Sequence, residues 1–415
     1  MSERRTFLFL QGHPTFFTVR LGDALKEAGH VVRKINLSGQ DVLFWPRRGA
    51  DAYRGRLKDW PAYVERYIRE NSITDVVYYA DRHPYHVDAL AAAKATGVRA
   101  WTYEFGYLRP DWLTLEPEAM GAFSRFPKDP DMIRSLAAGA ETFGNEPLYG
   151  HSFMTEALFD IARYAALILG YVAYPHYRSD AVFSPVQDYY YWIRTLLQGS
   201  RDERFAETIQ SACEADGADY TLLAMQLAHD YQIRASTHYD HLADMVDEVM
   251  ASMAAHAPAS RRLVVKLHPL DNGYQDWPKR IAEMVARHGL EGRVDLIRGG
   301  DLTPLIRHSK GSVMANSTVG LHCLRAGVSV KAMGEAVYDV PGLTHQGSLD
   351  TFWEDPEPVD RSLARDLVRA MAEEIQVKGS FYDRAGQDAA IAGLVERLTV
   401  RPYPVWASVN DQPGE

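Results

Sequence analysis

Lys266-Leu267-His268-Pro269 sets an ammonium two positions from an imidazole, a pairing that suits a phosphate or a leaving group gaining negative charge. Pro269 disfavours the helical region for its predecessor, so His268 is held extended where an apolar run ends. A surface turn with an incidental histidine fits the same four residues. Further on, Asn316-Ser317-Thr318-Val319-Gly320 stands where the apolar run 311–315 hands over to a helical pattern. Backbone amides and the positive end of a helix dipole gather at such a junction, and small hydroxyl side chains leave room for an anion. Ordinary N-capping by Ser or Thr is the plainer explanation. Asn316-Ser317-Thr318 also matches a glycosylation sequon, set aside because nothing indicates secretion. Two anion-suited junctions in one half of the chain point to a nucleotide phosphate. The sequence carries neither a dinucleotide glycine fingerprint nor a P-loop, which argues against dinucleotide oxidoreductases and P-loop kinases.

The segment 103–116 offers a different chemistry. It reads as a loop after a strand, with the carboxylates Glu104, Asp111 and Glu116, the cation Arg109, and the aromatics Phe105, Tyr107 and Trp112. Carboxylates supply a nucleophile or an acid/base for glycosyl transfer, arginine pairs bidentately with an acidic sugar, and aromatics line sugar sites. A buried aromatic turn with surface acids is the bland alternative. Asp81-Arg82-His83-Pro84-Tyr85-His86 closes another strand; its two histidines lack the further ligands a metal needs, so a helix-entry turn is the simpler assignment. Asp129-Pro130-Asp131 resembles a metal-holding acid pair but follows no strand and reads as a solvated turn. In 156–178, Leu158, Ile161, Ala165, Ile168 and Leu169 share a helical face, followed by Tyr171, Tyr174, His176, Tyr177 and Arg178. That belt fits a membrane surface, with aromatics at the headgroups and cations on phosphates; a core helix explains the same spacing more simply.

These groups need strand ends and helix starts to hold them. Strand patterns at 6–11, 30–36, 75–79 and 98–103 alternate with helical ones at 16–28 and 85–96, which predicts parallel pairs joined by right-handed crossovers. From 125 to 215 the pattern is mostly helical, with helices expected at 156–171, 186–197 and 202–215. A second alternation follows: strands at 220–226, 263–268, 294–297, 311–315 and 329–333, helices at 239–255, 277–288, 302–308 and 317–326. The expectation is α/β, with two Rossmann-like lobes and a ligand crevice beyond the carboxyl ends of the strands. The lobes are expected at 1–180, including a helical connecting segment, and 181–380, with 381–415 packing back on the first; residues 411–415 look frayed.

At 415 residues and about 150 per domain the chain has room for two or three domains. With 46% hydrophobic and 24% charged residues its composition is that of a folded protein, not a disordered one. A net charge of −10 opposes a broad grip on nucleic acid, so no nucleic-acid partner is expected. Its two cysteines, Cys213 and Cys323, exclude a disulfide framework and a cysteine zinc cluster and fit a reducing compartment. The N-terminus shows no signal-peptide pattern, and the most apolar segment, 164–175, is shorter than the roughly 20 residues that span a bilayer. A cytoplasmic protein, peripheral on the inner membrane, is expected.

Several motifs occur together and in order between residues 8 and 353. They are Leu10-Gln11-Gly12 with Phe16-Phe17, residues 81–86, 104–116, Gln226 with Asp230-Tyr231-Gln232, 266–273, 316–320, and 338–347 with Phe352-Trp353. In this combination the chain resembles the capsule polysaccharide biosynthesis family, in particular its KpsS- and LipB-type members, which start the glycolipid terminus of Gram-negative capsules. The resemblance implies a GT-B-like fold, two Rossmann-like lobes facing a central cleft. It also implies a retaining β-Kdo glycosyltransferase that uses CMP-Kdo as donor and needs no cofactor and no metal.

The acceptor implied is a phosphatidylglycerol-type lipid or a growing Kdo linker, with the inner-membrane surface and capsule assembly proteins as further partners. On this reading the donor sits at Lys266, His268, Pro269, Asn316, Ser317 and Thr318, with Arg109 or Arg82 on the Kdo carboxylate. Gln11, Gly12, Phe16 and Phe17 belong to the acceptor side. Glu104 is the expected nucleophile, with Asp81, Asp111 and Glu116 in reserve; where many relatives carry two consecutive acids, this chain has Glu104 followed by Phe105. The alternatives are a GT-B transferase for another nucleotide sugar and a non-catalytic capsule glycolipid export or assembly factor.

Overall fold

The computed structural model describes residues 3–141, 143, 148–150, 152–179, 185–227 and 237–408. The motif residues Asp230, Tyr231 and Gln232 and the tail 411–415 lie outside the described residues. The chain forms two compact units, one of Met1–Phe126, Glu141–Ala181 and Met371–Glu415, the other of Pro127–Ala140 and Val182–Ala370.

The first unit holds strands β1 (Thr6–Phe9), β2 (Val31–Asn36), β3 (Asp51–Ala52), β4 (Asp75–Tyr79), β5 (Arg99–Phe105) and β6 (Trp112–Pro117). The second holds β7 (Tyr220–Ala224), β8 (Arg262–Lys266), β9 (Val294–Ile297), β10 (Ser312–Met314) and β11 (Val330–Ala332), after which β12 (Gln376–Lys378) returns to the first sheet. The sheet orders are β12-β6-β5-β4-β1-β2-β3 and β11-β10-β7-β8-β9. Counted from each unit's own first strand, the parallel part of both sheets runs 3-2-1-4-5, the doubly wound Rossmann order. The winding reverses beside β1 and β4 in one unit and beside β7 and β10 in the other. At each reversal the two crossovers leave in opposite directions and open a crevice at the strands' carboxyl ends.

Alternation along the strands builds the first unit's core. Phe7, Phe9, Val77, Trp101 and Tyr103 face the helices Phe17–Glu27 and Arg384–Thr399, which contribute Phe17, Leu21, Leu25, Ala390 and Leu394. Leu8, Leu10, Val76, Tyr78 and Ala100 point the other way, onto Trp60, Val64, Tyr85 and Ala89 of the helices Trp60–Glu70 and Pro84–Thr96. The period of two is what puts successive residues on opposite faces. The helix Pro84–Thr96 begins on a proline, whose missing N–H costs nothing there, and stops at Gly97, whose φ of 70° is left-handed. In the second unit the core gathers around Trp277, Trp353, Val265 and Val313.

Two expectations need correcting. Residues 103–116 are not a loop but a hairpin: β5 runs on to Phe105 and pairs antiparallel with β6, placing Glu104 opposite Thr114 and Glu116 opposite Thr102. The alternation Leu113-Thr114-Leu115, with both leucines buried, is the strand signal that the cluster of functional residue types obscured. The helices expected at 186–197 and 202–215 are one continuous helix, Pro185–Glu214. Asp129 caps the helix Pro130–Ala137, its carboxylate accepting from the Met132 amide at 2.8 Å.

Of the helices that position the candidate site, Phe153–Gly170 depends on the closest approach. A Cβ added at Gly39 would lie 2.1 Å from the Ala166 carbonyl oxygen, and one at Gly170 would lie 2.5 Å from the Gly39 Cα. Backbone meets backbone there, so no side chain can yield. Gly39→Val is expected to push the helix off the unit and to cost about 1–3 kcal/mol in a urea unfolding experiment, the usual penalty for overpacking a tight contact.

Candidate functional site

At the first unit's reversal point the chain leaves β1 through Gln11-Gly12-His13 and leaves β4 through Ala80, and a cavity of about 270 Å³ opens between these exits. The helix Phe153–Gly170 closes it with Glu156, Asp160, Arg163 and Leu167. Gly12 is required at this turn, because a Cβ would stand 2.1 Å from the Thr18 hydroxyl oxygen.

Burial holds two of the histidines here, His13 and His86, in the neutral form. His13 is buried and lies flat on Phe381 at 4.1 Å; burial, helped by the Arg163 guanidinium, pushes it down to about 3. His86 is also buried, and burial lowers it well below the ordinary imidazole value. Its Nδ1 lies 2.7 Å from the Ala80 carbonyl, which can only accept, so Nδ1 carries the proton and Nε2 is an acceptor. That Nε2 has no hydrogen-bond partner among the described residues. His83 Nε2 lies 3.3 Å from the Tyr177 hydroxyl, which donates to Gln11 Oε1 at 2.9 Å. The wall is thus a set of fixed, uncharged donors and acceptors around one cation and two carboxylates. Such a surface suits a polyol or sugar better than a bare ion.

The carboxylates named from sequence separate by environment. Glu104 is half-buried on β5, and its charge acts on Tyr79 in the cavity wall: burial, then Glu104, push that phenol well above its ordinary value, with Arg109 opposing. Arg109 is exposed, its guanidinium 5.6 Å from the Phe105 ring. Neither Glu104 nor Arg109 lines the cavity; Phe105, between them in the chain, does. Glu116 is fully buried, bonded by the hydroxyls of Tyr107 at 2.7 Å and of Ser124, and burial pushes it up to about 8. Asp81 is buried too; it accepts from Arg82 Nε at 3.0 Å and from the Met120 amide at 3.2 Å, and burial raises it. That bond occupies Arg82, which also covers the Phe123 ring at 3.9 Å. Asp111 accepts from the backbone amides of Leu148 and Tyr149 and so orders that segment. Of the acceptor-side residues, Gln11 and Gly12 line the cavity, Phe16 is exposed beside Phe44 and Phe159, and Phe17 is in the core.

The second unit's reversal point is clasped by two side chains. Gln226, just past β7, donates from Nε2 to Asn316 Oδ1 at 2.8 Å and accepts from the Asn316 amide at 3.0 Å. Asn316 Nδ2 also donates to the Glu335 carbonyl at 3.3 Å, so this residue fixes three loops to one another. Ser317 Oγ accepts from the Val319 amide at 3.3 Å, and Thr318 is the N-cap position of the helix Val319–Ala326. His268 follows β8, and its Nδ1 accepts from the Leu270 amide at 3.1 Å. That bond leaves the proton on Nε2, a donor suited to phosphate oxygen. Pro269 beside it is exposed. Lys266, expected on a phosphate, is instead buried with its ammonium on the carbonyls of Gly299 and Gly300, tying β8 to the loop after β9. Arg298 performs the same task from the other side, reaching Asp271 Oδ1 at 3.0 Å.

The sequence reading missed His13, Tyr79 and Arg163. A signal existed for His13: His13-Pro14 follows a strand as His268-Pro269 does. No group of three or more His, Cys, Asp or Glu side chains among the described residues is arranged to hold a metal ion.

Comparison with known proteins adds three findings. Residues 74–382 match the family described as capsule polysaccharide biosynthesis protein. The chain is 31% identical over 395 residues to the capsule polysaccharide modification protein LipB of Neisseria meningitidis serogroup A, covering 92% of this chain and 93% of that one. It is 28% identical over 389 residues to the capsule polysaccharide export protein KpsS of Escherichia coli, covering 91% and 97%. Among solved structures, a Thermosulfurimonas dismutans KpsC β-Kdo 2,7 transferase aligns over 95% of this chain and 99% of that one, with 14% identity and a TM-score of 0.44.

The buried Glu116 yields a pH test. Its folded value of about 8 lies above the ordinary carboxyl value of 4.5, so the stability it confers is complete at acid pH and is lost as pH rises through 8. Glu116→Gln is expected to remove that decline. Relative to the native protein, the variant should gain at least about 1 kcal/mol between pH 5 and pH 8 in urea unfolding.

Proposed function

The chain belongs to the capsule polysaccharide biosynthesis family, and from that premise we propose that it transfers Kdo from CMP-Kdo to a phosphatidylglycerol-type lipid or a Kdo linker, retaining configuration. The observation that supports this reading is the first unit's cavity, where His13, His86, Tyr177 and Gln11 offer polar groups for a polyol and Phe105, the neighbour of Glu104 on β5, forms part of the wall. Two Rossmann-order sheets, each with polar side chains gathered at its reversal point, are the architecture a nucleotide-sugar transferase of GT-B type requires. The printed names of the relatives, capsule polysaccharide modification and export, agree with a product that enters capsule assembly.

The chemistry assigned to the residues is a double displacement. Arg109 pairs with the carboxylate at the anomeric centre of Kdo. Glu104 attacks that carbon as the bond to the CMP phosphate breaks, and the electron pair leaves with CMP. An acceptor hydroxyl then displaces Glu104, losing its proton to water. Two inversions give retention. Lys266, Asn316, Asp81 and Asp111 position these groups rather than touch the sugar.

Incubation with CMP-Kdo and phosphatidylglycerol, followed by mass measurement, should show release of CMP and a lipid heavier by one or more Kdo residues. UDP release from a UDP-sugar with no reaction of CMP-Kdo would reject the donor, and no transfer with either donor would favour an assembly role. Glu104→Gln should lower transfer by at least about a thousandfold while CMP still binds.

A further inference from the structure

The helix Phe153–Gly170 is polar on the wrong side for a surface helix. Glu156, Asp160, Arg163 and Leu167 recur at the spacing of one helical face, and that face lines the cavity. The opposite face carries Leu158, Ile161, Ala165, Ile168 and Leu169, with Leu158 59%, Ile168 64% and Leu169 80% exposed. A helix on a water-soluble protein normally turns its apolar stripe inward and its charges to solvent. Here the charges serve the cavity, so the apolar stripe is left outside, and Val42 and Leu43 of the neighbouring helix Gly39–Phe44, together with Phe16, add to the exposed apolar surface.

The surroundings say what covers this face. At the helix's carboxyl end Tyr171 is exposed, while Tyr174 is buried with the Arg54 guanidinium 6.0 Å from its ring. Arg54, His176 and Arg178 are all exposed. The helix's own acids, Glu156 and Asp160, line the cavity on the other face, Asp160 being exposed to water as well. A chain of net charge −10 thus presents, at this spot, an apolar face with a cationic and tyrosine-bearing end. That combination complements a bilayer whose interface is anionic: leucines and isoleucines enter the acyl boundary, tyrosine sits at the headgroups, and arginines meet phosphates. No helix among the described residues is long and apolar enough to cross a membrane, so the helix would lie in the interface plane.

We propose that the outer face of Phe153–Gly170 docks the protein on an anionic phospholipid bilayer, which sets the cavity on the helix's inner face beside the headgroup layer. The inference rests on the lipid-acceptor reading above in one respect only: it explains how a headgroup reaches the cavity without its acyl chains leaving the membrane. One helix, three or so turns of it, separates the two environments.

The test is sedimentation with vesicles of phosphatidylglycerol and phosphatidylethanolamine, against vesicles of phosphatidylcholine alone, in the absence of donor. The native protein should sediment with the anionic vesicles and less with the neutral ones. The double variant Leu158→Glu, Leu169→Glu should lose at least about tenfold in vesicle affinity, since each change replaces an inserting apolar side chain by a charge. Both residues are exposed, so its circular dichroism and urea midpoint should match the native protein's, and its transfer to a detergent-free, water-soluble acceptor should be unchanged. Equal sedimentation of native and variant, or a native protein that ignores anionic vesicles, would overturn the proposal. So would a variant that merely converts a dimer to a monomer, which would assign the face to a second copy of the chain. Because binding is read without donor, docking can succeed while Kdo transfer fails, or the reverse, and the two readings stand or fall separately.

Discussion

A buried ion pair organises the first unit's working end. Lys34 on β2 is 3% exposed, and its ammonium reaches Asp41 at 2.8 Å, the Ile35 carbonyl at 2.8 Å and the Leu10 carbonyl at 3.1 Å. Asp41 in turn accepts from the Leu37 and Ser38 amides and the Ser38 hydroxyl, closing a capping box on the helix Gly39–Phe44. Two charges removed from water are tolerated only when every bond is made, and here they are. The pair fixes where β1 ends and where Gly39 sits. Gly39 then admits the backbone of Ala166 and Gly170, and that approach aims Arg163 and its acids into the cavity. Cavity, helix orientation and apolar outer face are consequences of one desolvated contact and one missing side chain.

Desolvation also sorts the titratable groups. The same burial that holds His13 and His86 neutral drives Glu116 toward the protonated form. A carboxyl that is protonated and fully enclosed cannot attack a sugar, whatever its position in the sequence. Glu104 keeps a partly open position on the same hairpin, two strands' width from the reversal point. The buried acids hold loops by hydrogen bonds to Tyr107, Ser124 and the Met120 amide.

Much of this was legible in the residues. Alternating strand and helix patterns identified α/β architecture, because burial on both faces of a parallel strand leaves a continuous apolar run such as residues 76–79. Strand-end motifs located the Gln11-Gly12, Asn316-Ser317 and His268 turns. What stayed hidden depends on distance in the chain. β12 pairs with β6 some 260 residues earlier, so no local pattern announces it. Lys266 reads as a phosphate ligand because its residue type is right; the two carbonyls that occupy it belong to Gly299 and Gly300, whose left-handed turn is a tertiary fact. The hairpin at 103–116 was concealed by its own chemistry, since carboxylates, arginine and aromatics suggest a loop while Leu113 and Leu115 specify a strand.

The periodicity of 153–170 could be read but not its sign. A stripe of leucine and isoleucine at helical spacing ordinarily means core, and nothing in the spacing distinguishes an inward stripe from an outward one. Only the opposite face decides. Glu156, Asp160 and Arg163 are the residues a solvent-facing side would carry, yet they enclose a cavity with His13 and Tyr382. Tyr382 shows the consequence, for burial and then Glu156 and Asp160 push its phenol above its ordinary value, as charges do when they face protein rather than water. Asp160 stays partly in water, but with the polar side turned to the cavity the stripe of Leu158, Ile168 and Leu169 lies on the outside.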